Sequence, residues 1–248
     1  MRSPIQSVVV FGANSAIATA YCRILAERGV AFHLVGRNHD ALQGLAADLG
    51  VRGAKKISVA VADLGETAQH EQLVAEAWEQ LSAPDLVLLA HGVLGRQSED
   101  ETDWESQHAL IQTNLVSYMS LLTLLANRFE KQGNGCLAAI SSVSGARGRA
   151  SNYIYGTTKA GLSCYLQGLQ QRLAPAVRVL DLLPGPVDTP MTTGMQKGVL
   201  WASPERIARG MDRAIGSRSG TLYLPFYWRP IMAAIRLMPA ALLRRLSI

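Results

Sequence analysis

Short apolar runs alternate with stretches of helical periodicity along this chain, and no other feature restricts its fold as much. The runs fall at 5–11, 31–35, 56–61, 85–90, 136–141, 177–183 and 221–224, and the helical stretches near 16–28, 40–49, 69–81, 104–131, 153–173 and 204–215. Strict strand and helix alternation predicts right-handed βαβ crossovers, hence an α/β, Rossmann-like, doubly wound and mostly parallel sheet of seven strands. The runs are continuously apolar rather than alternating, as expected of strands covered by helices on both faces. With 248 residues and 48% hydrophobic content, residues 1–248 suffice for one such domain. Ligands of such sheets sit beyond the carboxyl ends of the strands, so the residues just after each run are the ones to read for function.

Composition narrows the classes. A net charge of +5, 17% charged residues and scattered arginines do not make the basic stripe of a nucleic-acid binder, so no nucleic-acid partner is expected. Cys22, Cys136 and Cys164 are too few and too widely spaced for a disulfide framework or a zinc set, so no metal is expected and a reducing, cytoplasmic location fits. The start of the chain lacks the pattern of a secretory leader, and no uncharged apolar run reaches 18 residues, which argues against a spanning helix.

The first run ends in Gly12-Ala13-Asn14-Ser15-Ala16-Ile17 and passes straight into a helical stretch. Gly12 permits a tight turn, and the N–H groups around Asn14, Ser15, Ala16 and Ile17 would face a phosphate at the positive end of a helix dipole. Farther on, Tyr155 and Lys159 stand four residues apart on one helical face, with Ser142 thirteen residues before Tyr155 at the end of an apolar run. Carbonyl reduction builds negative charge on oxygen and needs a proton donor within reach, a role suited to Tyr155. An ammonium about 4 Å from a phenol contributes roughly 4 kcal/mol at an effective dielectric of about 20, so Lys159 is expected to pull Tyr155 down by nearly ~3 pK units.

In these features the chain resembles the short-chain dehydrogenase/reductase family, from residue 8 to about 212. The family's glycine positions are Gly12, Ala16 and Ala18 here, and Ala16 puts a methyl where the backbone nears the pyrophosphate. The resemblance implies a catalytic set of Asn114, Ser142, Tyr155 and Lys159. Asn114 would support a water path for proton resupply, Ser142 would orient the substrate oxygen, and Lys159 would hold the nicotinamide ribose. Arg37 stands where members that prefer NAD carry a carboxylate, so NADP(H) is favoured over NAD(H). Asp63 and Leu64 match the adenine side. Ala90, His91 and Gly92 match the ribose side, with His91 replacing the family's Ala and read as structural. Pro184, Gly185, Val187 and Thr189 match the segment that meets carboxamide and phosphate, and residues 192–201 would form a substrate lid. Members commonly pair through the equivalents of 104–131 and 153–173, which implies a homodimer or homotetramer.

Residues 226–248 form an apolar, Arg-studded tail with aromatic residues at its start and Arg236, Arg244 and Arg245 within it. Two placements stay open: against the pocket or a partner subunit, or on an anionic membrane surface as a peripheral contact. The tail, with 145–159 and 92–95, is similar to one branch of the family, the decaprenylphosphoryl-2-keto-ribose reductases that complete epimerisation to an arabinose donor. That likeness implies a lipid-linked keto-pentose substrate and a location at the inner face of the membrane. The alternatives are a soluble reductase of 3-oxoacyl thioesters or small ketones, and a nucleotide-binding scaffold without turnover.

Overall fold

The computed structural model describes residues 5–216 and 219–243. In chain order, β1 is Ser7–Phe11, α1 Ala16–Ala26, β2 Ala31–Gly36, α2 His39–Val51, β3 Lys56–Val61, α3 His70–Leu81 and β4 Leu86–Leu89. Next come α4 Gln97–Asp100, α5 Trp104–Ile111, α6 Ser117–Gln132, β5 Gly135–Ile140, α7 Tyr153–Leu173 and β6 Val177–Pro184. The last elements are α8 Pro204–Ile215, β7 Gly220–Leu224, α9 Trp228–Leu237 and α10 Ala240–Leu243.

All seven strands pair in parallel, in the order β3-β2-β1-β4-β5-β6-β7. The order reverses between β1 and β4, and that switch point opens a crevice at the strands' carboxyl ends. The strand pleat divides the core. Val8 and Val10 of β1 pack with Ile17, Tyr21 and Leu25 of α1 and with Met211 of α8, whereas Val9 and Phe11 pack with Leu121, Leu125 and Phe129 of α6 and Leu162 and Leu166 of α7. A smaller cluster joins Trp228 and Met232 of α9 to Val143 and Leu183, so the tail packs over the β5 and β6 exits.

The stretch predicted at 104–131 is one helical run with a π-helical turn at Gln112–Val116, an irregularity common at functional sites. Its extent, Trp104–Gln132, is apolar and long enough to cross a membrane by length and composition. It serves instead as a core layer, with Leu121, Leu122, Leu125, Ala126 and Phe129 buried. The cysteines are free, and burial pushes the thiols of Cys22 and Cys136 up to about 12. The tail's Arg236 lies in α9, while Arg244 and Arg245 lie outside the described residues.

Candidate active site

The crevice at the switch point has a volume of about 1090 Å³. One end of its wall is the β1–α1 turn, where Gly12, Asn14, Ser15, Ala16 and Ile17 all line it. Gly12 has φ +82°, and a Cβ there would lie 2.5 Å from the backbone nitrogen of His91. Only glycine lets β1 and β4 exit side by side, so the constraint comes from the neighbouring strand as well as from the turn. Ser15 N-caps α1 without a side-chain hydrogen bond, which leaves the first N–H groups of the helix facing the crevice.

Arg37, at the β2 exit, is exposed and stands 3.8 Å from Asp63 at the β3 exit. Asp63 also accepts the Gly65 N–H at 2.8 Å, capping its own turn, and Leu64 lines the wall beside it. The β4 exit adds Ala90, His91 and Gly92. His91 Nε2 lies 2.8 Å from the Ser117 hydroxyl, and its ring stacks on Tyr118 at 4.1 Å. Burial first, then the Lys159 charge, holds His91 well below the usual imidazole range, so it is neutral at physiological pH. Pro184, Gly185, Val187 and Thr189 close the wall at the β6 exit.

Ser142, Tyr155 and Lys159 line the crevice together. Ser142 leaves β5 with an extended backbone, and its Oγ accepts the Ser144 N–H at 3.1 Å. Tyr155 and Lys159 lie in the first turns of α7, and Lys159 Nζ sits 5.8 Å from the Tyr155 ring centre and 5.1 Å from that of Tyr118. The ammonium donates to the Ile140 carbonyl at 3.1 Å. Gly145 lets the β5–α7 loop rest on α7, since a Cβ there would be 2.6 Å from the Ala160 nitrogen. That contact brings Ser142 to the same helix face as Tyr155.

Asn114 is buried in the π-helical turn, where its side chain accepts the Val93 N–H at 2.9 Å and donates to the Val93 carbonyl at 2.7 Å. It clamps the β4 exit loop, and a Cβ on Gly92 would fall 2.9 Å from its Oδ1 and 3.8 Å from Lys159 Nζ. One expectation needs correction: the predicted lowering of Tyr155 by Lys159 is absent. Burial pushes the Tyr155 hydroxyl up to about 12, with Ser142 pulling the other way, and burial brings Lys159 down to about 8, with Asp181 opposing. Desolvation wins because Lys159 is buried and Tyr155 half-buried in the crevice wall, a circumstance that helical spacing does not reveal.

Three residues on this wall went unnoticed in the sequence. Trp228 of α9 packs on Gly185, its indole Nε1 buried without a hydrogen-bond partner. Arg149 and Asn152, in the β5–α7 loop, face the crevice next to Ser144. The aromatic start of the tail hinted at the first, and no local pattern marks the other two.

Comparisons with known proteins agree with this architecture. The family described as short chain dehydrogenase matches residues 6–199. An uncharacterized oxidoreductase of Mycobacterium tuberculosis (strain ATCC 25618 / H37Rv) is 38% identical over 240 residues, covering 96% of both chains. Another, from Streptomyces coelicolor, is 33% identical over 249 residues, covering 99% of this chain and 97% of its own. Among solved structures, an alcohol dehydrogenase from Thermococcus sibiricus complexed with 5-hydroxy-NADP shares the fold with a TM-score of 0.79 at 23% identity, over 90% of this chain and 98% of that one. A single-residue variant of the actinorhodin polyketide ketoreductase with NADPH shares it with a TM-score of 0.79 at 20% identity, over 90% and 97%. The matched family, the relatives along nearly the whole chain and the seven-stranded sheet agree, and this chain belongs to the short-chain dehydrogenase/reductase family of oxidoreductase enzymes.

Proposed function

We propose that this nicotinamide-dependent oxidoreductase works as an NADP(H)-dependent carbonyl reductase in which Tyr155 is the acid and base. The observation that carries the reading is the convergence of Ser142, Tyr155 and Lys159 on one crevice whose other end is the uncapped start of α1. The residues fit the cofactor: free N–H groups for a pyrophosphate at α1, an exposed guanidinium at Arg37 for a 2′-phosphate, and the Lys159 ammonium for ribose hydroxyls. Bound there, the nicotinamide supplies or accepts the hydride. The Tyr155 hydroxyl gives its proton to the substrate oxygen, and Ser142 donates a hydrogen bond that orients the same oxygen. Asn114 acts at one remove, by holding the Gly92–Val93 backbone beside Lys159.

The two NADP-type complexes among the structural neighbours favour the same cofactor. NADPH is expected to outcompete NADH by about tenfold or more, the range of a charge-assisted hydrogen-bond pair, and Arg37→Glu to reverse the preference. The assay is NADPH and NADH oxidation over a panel of small ketones, 3-oxoacyl thioesters and keto-sugar phosphates. Equal use of the two cofactors by the wild type would remove the NADP assignment and leave the reaction class standing.

The narrower substrate, a keto-pentose on a lipid phosphate, is favoured by an apolar rim. Met191, just before the lid, and Met195 within it line the crevice and are exposed, and Val199, Leu200, Phe226 and Leu237 are exposed as well. The Tyr227 hydroxyl donates to the Leu200 carbonyl at 3.0 Å, tying lid and tail into one surface. Arg229 and Arg236 are exposed on the same helix, which suits contact with an anionic leaflet facing a reducing cytoplasm. The protein is expected to float with phosphatidylglycerol vesicles, and Phe226→Asp with Leu237→Asp to abolish this. A wild type that stays at the bottom of the gradient would end the lipid-linked version. The homodimer or homotetramer rests on family resemblance and on the half-exposed Val116, Met119 and Tyr153 along α5–α7.

A further inference from the structure

The arginines lining the crevice are not equivalent. Arg37 has Asp63 within 3.8 Å and Arg96 has Glu99 at 2.6 Å. Arg149 has no carboxylate within 4.0 Å among the described residues, although it is half-buried and its Nε is shut off from water with no partner. Burial alone lowers its pKa, and no acidic group offsets the loss of solvation. Asp100, the other acid on this part of the wall, is already occupied, accepting the Arg96 N–H at 2.7 Å and the Ser106 hydroxyl at 2.5 Å. Buried guanidinium groups are normally paired.

The position of Arg149 is also specific. Its Nη2 donates to Ser144 Oγ at 3.1 Å, Asn152 Nδ2 donates to the same oxygen at 3.3 Å, and the Ser144 N–H donates to Ser142 Oγ at 3.1 Å. A short chain of hydrogen bonds thus leads from Ser142 to a cation and an amide on the crevice wall. Asn152 Oδ1 is buried and has no donor. Arg147, two residues earlier, turns away to the tail and donates to the Met238 carbonyl at 3.4 Å.

We infer that Arg149 forms an anion subsite for the substrate, taking a phosphate ester or carboxylate on its guanidinium, while Asn152 holds Ser144 beside it. The substrate is then a keto compound with an anionic group, and the anion completes the pairing that the protein leaves open. This deepens the carbonyl-reductase reading and rests on it for the position of the reacting carbonyl at Ser142 and Tyr155.

The test is calorimetric titration of the NADP⁺-saturated protein with phenyl phosphate, benzoate and benzyl alcohol, so that the phosphate sites of the cofactor are already filled. Both anions are expected to bind and the alcohol to bind weakly or not at all. Arg149→Met is expected to weaken the anions by about tenfold or more, the effect of losing hydrogen bonds to a charged group, and Arg149→Lys to restore part of it. Stronger binding of phenyl phosphate identifies a phosphate ester as the natural group, and stronger binding of benzoate a carboxylate. Equal anion affinity in wild type and Arg149→Met, or no anion binding by the NADP⁺-loaded wild type, overturns the subsite. Tyr155→Phe is expected to bind the anions as the wild type does while losing turnover. Failure of NADP⁺ itself to bind strikes the cofactor reading instead, so the two failures are distinguishable. Thermal melting of both Arg149 variants accompanies the titrations, and Arg149→Lys keeps a donor for Ser144 if the Met variant is unstable.

Discussion

Tyr155→Phe is expected to lower turnover about 10²- to 10⁴-fold, the usual contribution of a positioned general acid, and to leave NADPH affinity unchanged. Phe fills the same space and removes only the hydroxyl, so a loss of this size reports proton transfer. Burial pushes that hydroxyl up to about 12, which keeps it protonated at neutral pH and ready to serve carbonyl reduction. Alcohol oxidation needs the phenolate, so the oxidative rate is expected to rise close to tenfold per pH unit through the neutral and alkaline range, while the reductive rate stays nearly flat there. The two directions of the assay, reduction with NADPH and oxidation with NADP⁺, are followed across pH for wild type and Tyr155→Phe. Retention of more than about a tenth of the wild-type rate would put the proton donor elsewhere on the crevice wall, since that loss falls below the range for a general acid.

Lys159→Met is expected to separate activity from stability. Lys159 faces the crevice where charge develops on the substrate oxygen, and removing one such positioned cationic donor should slow turnover by about 100-fold or more. Stability should move the other way or hardly change. Burial depresses the Lys159 pKa from 10.5 to about 8, a cost to the folded state of about 3 kcal/mol at neutral pH. Methionine removes that cost but strands the Ile140 carbonyl, which returns about 1–3 kcal/mol. Because the folded pKa lies below the unfolded one, the cost is fully present below about pH 8 and is relieved as pH rises toward 10.5. Wild-type melting temperature is therefore expected to gain from this group between about pH 8 and 10, and the Met variant to lack that gain. A Met variant that is both inactive and several degrees less stable at neutral pH would mean that Lys159 acts mainly as a structural tie. Asp181, buried beneath α7 on β6 and raised to about 6, is the acid that opposes the desolvation of Lys159. His91, Tyr118 and Tyr155 are the other titratable groups around it.

The chain's layering is legible in the sequence because it depends on periodicity. Seven continuous apolar runs separated by helical stretches leave few ways to cover both faces of a sheet, and strand boundaries shifted by only one or two residues. Tyr155 and Lys159 were legible for a similar reason, since four-residue spacing puts two side chains on one helix face wherever the helix lies. Family likeness marked Ser142, the β6 exit and Arg37, all of which line the crevice. It also marked Asn114, whose side-chain amide is held by the Val93 backbone, a contact formed only when the π-helical turn meets the β4 exit.

Periodicity and short-range spacing settled the parallel sheet, the switch-point crevice and the pairing of a phenol with an ammonium, because those properties are carried by residues close together in the chain. Folding decided the rest. The solvation of Tyr155 and Lys159, the packing of Trp228 on Gly185, the approach of Gly12 to His91 and the unpaired charge of Arg149 all depend on which distant segments meet and how much water they exclude. Burial energies and contacts of that kind belong to the packed molecule, and no local pattern encodes them.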